Sequence, residues 1–458
     1  MKNLLCFIII ALFISCQATN QVSNTSVASP SPSTEKEISA MSNSASSSSL
    51  TEAQNIQAGS YTIVVEGYDW GPAVSKVILP LDTTTSLIQK ENFSIAVKKD
   101  TDCKELTAEE AIGERTILYA YLSNEKGEKM EEGKYATLVL LVAPNLPIGS
   151  PMMYLPQCKG NIWVDYELTI KNKQTNQLWN TEKNRIHPIV DEFDLSGKFV
   201  YDTDVSLTYA DYTPTTSQEK IPLIIWLHGA GEGGTDTSIP LLANRAANYA
   251  APEIQAFFDG AYVLVPQTPT FWMDNGQEEY TRGEVNDKYN EGLMALIKNY
   301  VAKHPKIDKD RIYVGGCSNG GYMSLKLILQ NPDYFAAAFP SALAYHAEHI
   351  TDKQIESIKE KSIWFIHSKD DPVTKPEDTV VPVYNRLLAA GAKNVHFSYY
   401  DHVVDITGFF GGDSYHYLGH LSWIYSHANL CTLDYDQQPV LLNGRAVTLM
   451  EWMAAQRR

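Results

Sequence analysis

Two textures of apolar and polar positions follow one another along the chain. From about residue 56 to about residue 187 there are short runs rich in β-branched and aromatic residues: "SYTIVVEGY", "VSKVILPL", "TILYAYLSN", "YATLVLLVA" and "IWVDYELTIKN". Turn-forming strings such as "EKGEK" and "EEGKY" separate some of them. Short strands at this spacing predict an all-β sandwich of immunoglobulin-like architecture over residues 56–190. No catalytic constellation stands out in it, and it reads as a structural or binding module.

From residue 191 to 458 the texture changes. Short, almost wholly apolar runs, "IPLIIWLHG", "AYVLVPQ", "RIYVGG", "FAAAFPSA", "SIWFIHS" and "VHFSYY", read as buried parallel strands. In "EVNDKYNEGLMALIKNYVAKHP", Val285, Tyr289, Leu293, Leu296, Ile297 and Tyr300 recur at intervals of three and four, which predicts an amphipathic helix. Strands alternating with helices predict a mostly parallel sheet flanked by helices, the α/β class. Such sheets bind ligands beyond the carboxyl ends of their strands.

Ahead of both regions, "MKNLLCFIIIALFISC" carries Lys2, an apolar run from Leu4 to Ile14 and then Ser15-Cys16. The run is too short to span a bilayer and fits an export signal. A small residue before Cys16 fits a bacterial lipoprotein signal over residues 1–16, with Cys16 acylated; Phe13 stands where an aliphatic residue is usual. Residues 17–55 are rich in Ser, Thr, Asn and Pro without aromatics, the composition of a disordered tether. The expected location is therefore exported, lipid-anchored to a bacterial membrane on its periplasmic or cell-surface side. Contact with the membrane is expected only through the anchor.

A net charge of −17 offers phosphates no basic surface, which excludes nucleic acid as a partner. With Cys6 lost with the signal and Cys16 acylated, four cysteines remain. Cys103 and Cys158 either pair in an oxidising compartment or stay as buried thiols. Cys317 reads as a small packing residue.

The chemistry begins at "GGCSNGG". Gly316-Cys317-Ser318-Asn319-Gly320 matches G-x-S-x-G between a predicted strand and a predicted helix. That context predicts a nucleophile elbow, with Ser318 held in a strained turn that the glycines make passable. A serine needs a base, and in this arrangement the acid and then the histidine follow it in sequence. After "SIWFIHS" come Asp370 and Asp371; Asp371 is preferred because Pro372 fixes the loop behind it. His420, after Gly419 and before an apolar segment, is the expected base, with His416 and His402 as alternatives. His416 and His420 also have the spacing of a zinc pair, but Gly419 and the lack of a third ligand set that aside, and neither metal nor cofactor is expected. The glycine loop "WLHGAGEGG" follows the first strong strand and predicts an oxyanion hole built from the N–H of Ala230, or of Gly229, with that of Asn319. Trp272 is a candidate for a substrate-pocket wall and Trp423 for the core.

"WLHGAGEGGTD", "GGCSNGGYMS", "HSKDDPV" and "GHLSWIY" resemble two-domain bacterial esterases with an N-terminal Ig-like domain, α/β-hydrolases related to polyhydroxybutyrate depolymerases and feruloyl esterases. "GYDWGPAVSKVIL" resembles the opening of that family's Ig-like domain. The resemblance implies an Ig-like sandwich followed by an α/β-hydrolase fold, with a Ser318–His420–Asp371 triad and no cofactor. It also implies a serine carboxylesterase acting on short-chain or carbohydrate-linked acyl esters. A peptidase of the prolyl-oligopeptidase type shares this chemistry and is the alternative. A surface-binding protein with an inert hydrolase domain is a third reading. The oligomeric state is open, and a homo-oligomer is compatible with the sequence.

Overall fold

The computed structural model describes residues 58–458; Cys16 and the segments expected to form a signal and a tether fall outside the described residues. The first region builds β1 (Gly59–Tyr68), β2 (Gly71–Thr85), β3 (Phe93–Asp100), β4 (Ile112–Glu114), β5 (Ile117–Ser123) and β6 (Gly133–Leu140), of which β3 and β4 lie outside the runs read from the sequence. There follow β7 (Met152–Leu155), β8 (Gly160–Trp163), β9 (Asp165–Asn172) and β10 (Leu178–Ile186). Eight of them are hydrogen-bonded in the order β4-β3-β9-β10-β1-β2-β6-β5. Alternation does the rest. The inward residues of β3 and β9 (Phe93, Ile95, Val97; Tyr166, Leu168, Ile170) meet those of β1, β2 and β6 (Ile63, Val65; Val74, Val77; Leu138) in one core.

β7 and β8 stand apart as a two-stranded antiparallel hairpin. Cys158, in the turn between them, is disulfide-bonded to Cys103 in the loop after β3. Met152 at the start of the hairpin is buried in the core of the second region, with Trp70 and Trp163 packed against that core. An ion pair between Asp69 and Arg245 also crosses the junction.

The second region builds β11 (Asp194–Val200), β12 (Ser206–Tyr212), β13 (Ile221–Leu227), β14 (Tyr262–Gln267) and β15 (Ile307–Cys317). It is completed by β16 (Ala337–Ser341), β17 (Ser362–Ser368) and β18 (Val395–Tyr400). The sheet order is β11-β12-β14-β13-β15-β16-β17-β18, antiparallel at the β11 edge and parallel from β14 to β18. The parallel strands are buried on both faces, which is why their sequences read as unbroken apolar runs. The strand ends leaving β13, β15 and β17 carry the candidate site.

One helix is shorter than its periodicity predicts. It runs Asn290–Lys303, while Val285 lies ahead of it and is exposed. Asp287 is the reason. Its carboxylate is buried with Lys326, accepts from the Tyr322 hydroxyl at 2.9 Å and from Thr281 Oγ1 at 2.7 Å, and so draws residues 281–287 into a loop. Among the described residues no helix is long and apolar enough to cross a membrane.

Candidate active site

At the end of β15 the chain must turn sharply into the helix Asn319–Gln330, and Ser318 occupies the turn at φ 54° and ψ −112°. A non-glycine residue in this conformation is strained and persists only where its surroundings hold it. Here its N–H donates to the Ser341 carbonyl at 3.0 Å and its carbonyl accepts from Tyr322 at 2.9 Å. A Cβ at Gly320 would lie 1.9 Å from the Leu227 carbonyl oxygen, and one at Gly316 would lie 2.5 Å from the Gly320 backbone. Only glycine lets β13 and the elbow approach so closely. Ser318 is partly exposed.

Asp371 follows β17 and His420 sits in the short turn Gly419–Leu421. The structure brings these two together: His420 Nδ1 lies 2.9 Å from Asp371 Oδ2. Asp371 Oδ1 accepts the backbone N–H groups of Val373 and Thr374 at 2.8 and 3.0 Å, and Oδ2 accepts the Thr374 hydroxyl at 2.8 Å. Burial alone would raise this carboxyl, but the imidazoles of His420 and His367 outweigh it and hold it well below the usual carboxylate range. The Trp423 ring meets His420 edge-on at 5.4 Å and is buried, as expected. Among the described residues the Ser318 hydroxyl makes no hydrogen bond to His420. The two residues are linked instead through β16: Ser341 holds the Ser318 N–H, and the next carbonyl, Ala342, lies 3.2 Å from Thr374 Oγ1.

The alternatives are occupied elsewhere. Asp370 Oδ2 pairs with His402 Nδ1 at 2.8 Å, and His416 Nε2 lies 3.0 Å from the Asp413 carbonyl.

In the loop after β13, Gly229–Glu232, His228 controls one peptide unit. Burial pulls its imidazole down to about 4, so it is neutral at pH 7. Thr268 N–H donates to its Nε2 at 3.2 Å, which leaves the proton on Nδ1 to donate to the Gly229 carbonyl at 2.6 Å. In a trans peptide the N–H points opposite the carbonyl. Pinning the Gly229 carbonyl therefore turns the Ala230 N–H to the other face of the loop. The Gly229 N–H faces the Glu232 carboxylate, so of the two expected donors it is the one already engaged. Asn319 opens its helix, so its N–H has no partner within the helix. Its side-chain Oδ1 accepts from Met273 N–H at 3.1 Å and holds the neighbouring loop.

Trp272 does not line a pocket. It is fully buried, its ring 5.1 Å from that of His228, because the loop after β14 folds inward under Asn319. The aromatic residues left at the surface there are Phe271 and Tyr280, stacked at 4.1 Å.

Sequence reasoning missed three side chains. His367, fully buried in β17, places Nε2 3.0 Å from Asp371 Oδ2 and 2.8 Å from the Thr374 carbonyl. Within "SIWFIHS" it gives no signal beyond that of one more buried strand position. Thr374 carried none. Glu232 was visible as a lone acid in a glycine loop. Burial pushes its carboxyl up to about 7, against the side chains of Asn244 and Asn161 and the Gly229 N–H, which favour the carboxylate.

Residues 60–184 match the esterase Ig-like N-terminal domain, and residues 270–380, which hold Ser318 and Asp371, match the prolyl oligopeptidase family. The chain joins an Ig-like domain of the esterase type to an α/β-hydrolase domain. Feruloyl esterase B of Neurospora crassa is 28% identical over 141 residues, which is 30% of this chain and 44% of that protein. The chain thus matches less than half the length of this curated relative. A thermostable esterase of known structure shares the fold with a TM-score of 0.68 and 24% identity, over 87% of this chain and 100% of that one.

Proposed function

We propose that the chain is a serine hydrolase that cleaves carboxylic esters of short-chain or carbohydrate-linked acyl groups through an acyl-enzyme. The observation that carries this reading is the His420–Asp371 hydrogen bond of 2.9 Å at the same carboxyl-terminal end of the sheet as the strained Ser318 elbow. His420 takes the Ser318 proton as the hydroxyl attacks the ester carbonyl. Asp371, with its Oδ1 saturated by two amides, keeps the Nδ1–H tautomer and stabilises the imidazolium. The N–H groups of Ala230 and Asn319 receive the oxyanion, each contributing roughly 10²–10³ in rate. His420 returns the proton to the leaving alcohol, and water, activated the same way, releases the acid.

A peptidase reading is favoured by the prolyl oligopeptidase match. Against it, the folded region ahead of the hydrolase domain is a sandwich, not the propeller that gates peptides in that type. Hydrolysis of p-nitrophenyl esters from acetate to decanoate tests the choice. The expected result is fast turnover of short chains, lowered roughly 10⁶-fold in Ser318→Ala. Hydrolysis of peptide anilides but not of esters would establish the peptidase.

We also propose export with lipid attachment at Cys16, a reading supported by the Cys103–Cys158 disulfide, which suits an oxidising compartment. Cys16→Ala is expected to move the protein from the membrane fraction to the soluble one, and its retention in the membrane would refute the anchor.

A further inference from the structure

The β7–β8 hairpin of the Ig-like domain ends against the loop that carries Ala230. Gly160, at φ 151°, lies so close to that loop that a Cβ there would sit 2.4 Å from the Gly231 carbonyl oxygen. The Tyr154 ring covers the other side of Gly231, 2.8 Å from where a Cβ would stand. Asn161 Nδ2 donates to Glu232 Oε1 at 2.7 Å and reaches the Gly231 carbonyl at 3.3 Å. Trp163 Nε1 bonds Ser238 Oγ at 3.1 Å, just beyond the loop. Glu232 is 5% exposed and lies within electrostatic range of His420, so this contact is made beside the reacting groups.

The loop needs such support. Four of its six residues from Gly229 to Gly234 are glycine, with no side chains to restrict them. Within the hydrolase domain, His228 holds the Gly229 carbonyl, Gln267 Nε2 holds the Glu232 carbonyl at 2.9 Å, and Gly234 N–H bonds Thr268 at 2.8 Å. The Gly231 carbonyl has its hydrogen bond only from Asn161 among the described residues. We propose that Asn161 of the Ig-like domain is a positioning residue for ester hydrolysis: by clamping the Gly231 carbonyl and the Glu232 side chain, which faces the Gly229 N–H, it holds the loop on both flanks of the Gly229–Ala230 peptide and so aims the oxyanion-binding N–H. This rests on the Ser318 esterase reading above.

The test is a double-mutant cycle in the full chain, with kcat and KM measured on p-nitrophenyl acetate. Asn161→Ala and Glu232→Ala are each expected to lower kcat roughly 30-fold with KM within about 3-fold, since an oxyanion donor acts on the transition state. The double variant is expected to fall no further than either single. Glu232→Gln, which still accepts from Asn161, is expected to keep kcat within about 3-fold of wild type. Lys159→Ala, on the same hairpin, breaks an exposed ion pair with Glu278 of the loop after β14 and is expected to change nothing. A folded Asn161→Ala with wild-type kcat, or losses that multiply in the double variant, overturns the proposal. If Asn161→Ala does not fold, Glu232→Ala against Glu232→Gln decides it. If the wild type hydrolyses no ester, or Ser318→Ala retains activity, the esterase reading itself has failed and this proposal falls with it; loss in Ser318→Ala but not in Asn161→Ala removes this proposal alone.

Discussion

Asp371 gathers its donors from two histidines, one threonine and two backbone amides, and His367 is the member with no part in proton transfer. Its Nε2 presses on the same carboxylate oxygen that orients His420. Replacing it with Phe removes that donor, and steady-state kinetics are expected to show kcat about 10-fold lower with little change in KM. Glu232 gives a pH signature. Its carboxyl titrates at about 7 in the fold against 4.5 when unfolded, so between those values the unfolded state ionises while the folded state stays protonated. Folding stability therefore falls as pH rises through this window, by an amount on the order of 3 kcal/mol. Thermal melts of Glu232→Gln against wild type from pH 4 to 8 are expected to show the variant gaining relative stability as pH rises. Residues such as Ser318, Asp371 and His420 could be picked out of the sequence because each follows a strand or precedes an apolar segment at a recognisable offset. His367 could not, because a histidine within "SIWFIHS" reads as one more buried strand position. Trp272 misled because an aromatic after a strand end looks alike whether it turns to solvent or, as here, beneath the loop.

At the scale of elements, the strands with long apolar runs bounded by turns were legible, whereas β3, β4, β7, β10, β11 and β12, which are short or carry polar residues at many positions, were not. The helix before β15 was legible in its second half only. Periodicity carried the reading back to Val285, but a buried carboxylate at Asp287 outweighs one more turn of helix. Asp287 and Lys326 are 0% and 6% exposed in their side chains. Asp287→Asn leaves a buried ammonium without its counter-charge and is expected to cost about 3 kcal/mol or more in denaturant unfolding. The elbow is stricter still. Gly320→Ala would place a methyl 1.9 Å from the Leu227 carbonyl, where backbone on both sides leaves nothing to yield, and soluble expression is expected to be lost.

The molecule as a whole was legible as two domains in order, but not as two domains that share a loop. Contacts between residues 154–161 and 231–232 join segments some seventy residues apart, and no local pattern announces them. The Cys103–Cys158 bridge ties down the turn of the hairpin that makes these contacts. Closing a 55-residue separation, it is expected to contribute about 4 kcal/mol, and Cys103→Ser/Cys158→Ser is expected to melt several degrees below wild type.

The hairpin also bears on how such modules can be recombined. A hydrolase domain moved behind another sandwich would keep its serine, acid and histidine but arrive with a glycine loop whose outer face is bare. Substitutions at residue 161 and at residues 231–232 must therefore travel together when the domains are exchanged, since each surface is the mould of the other.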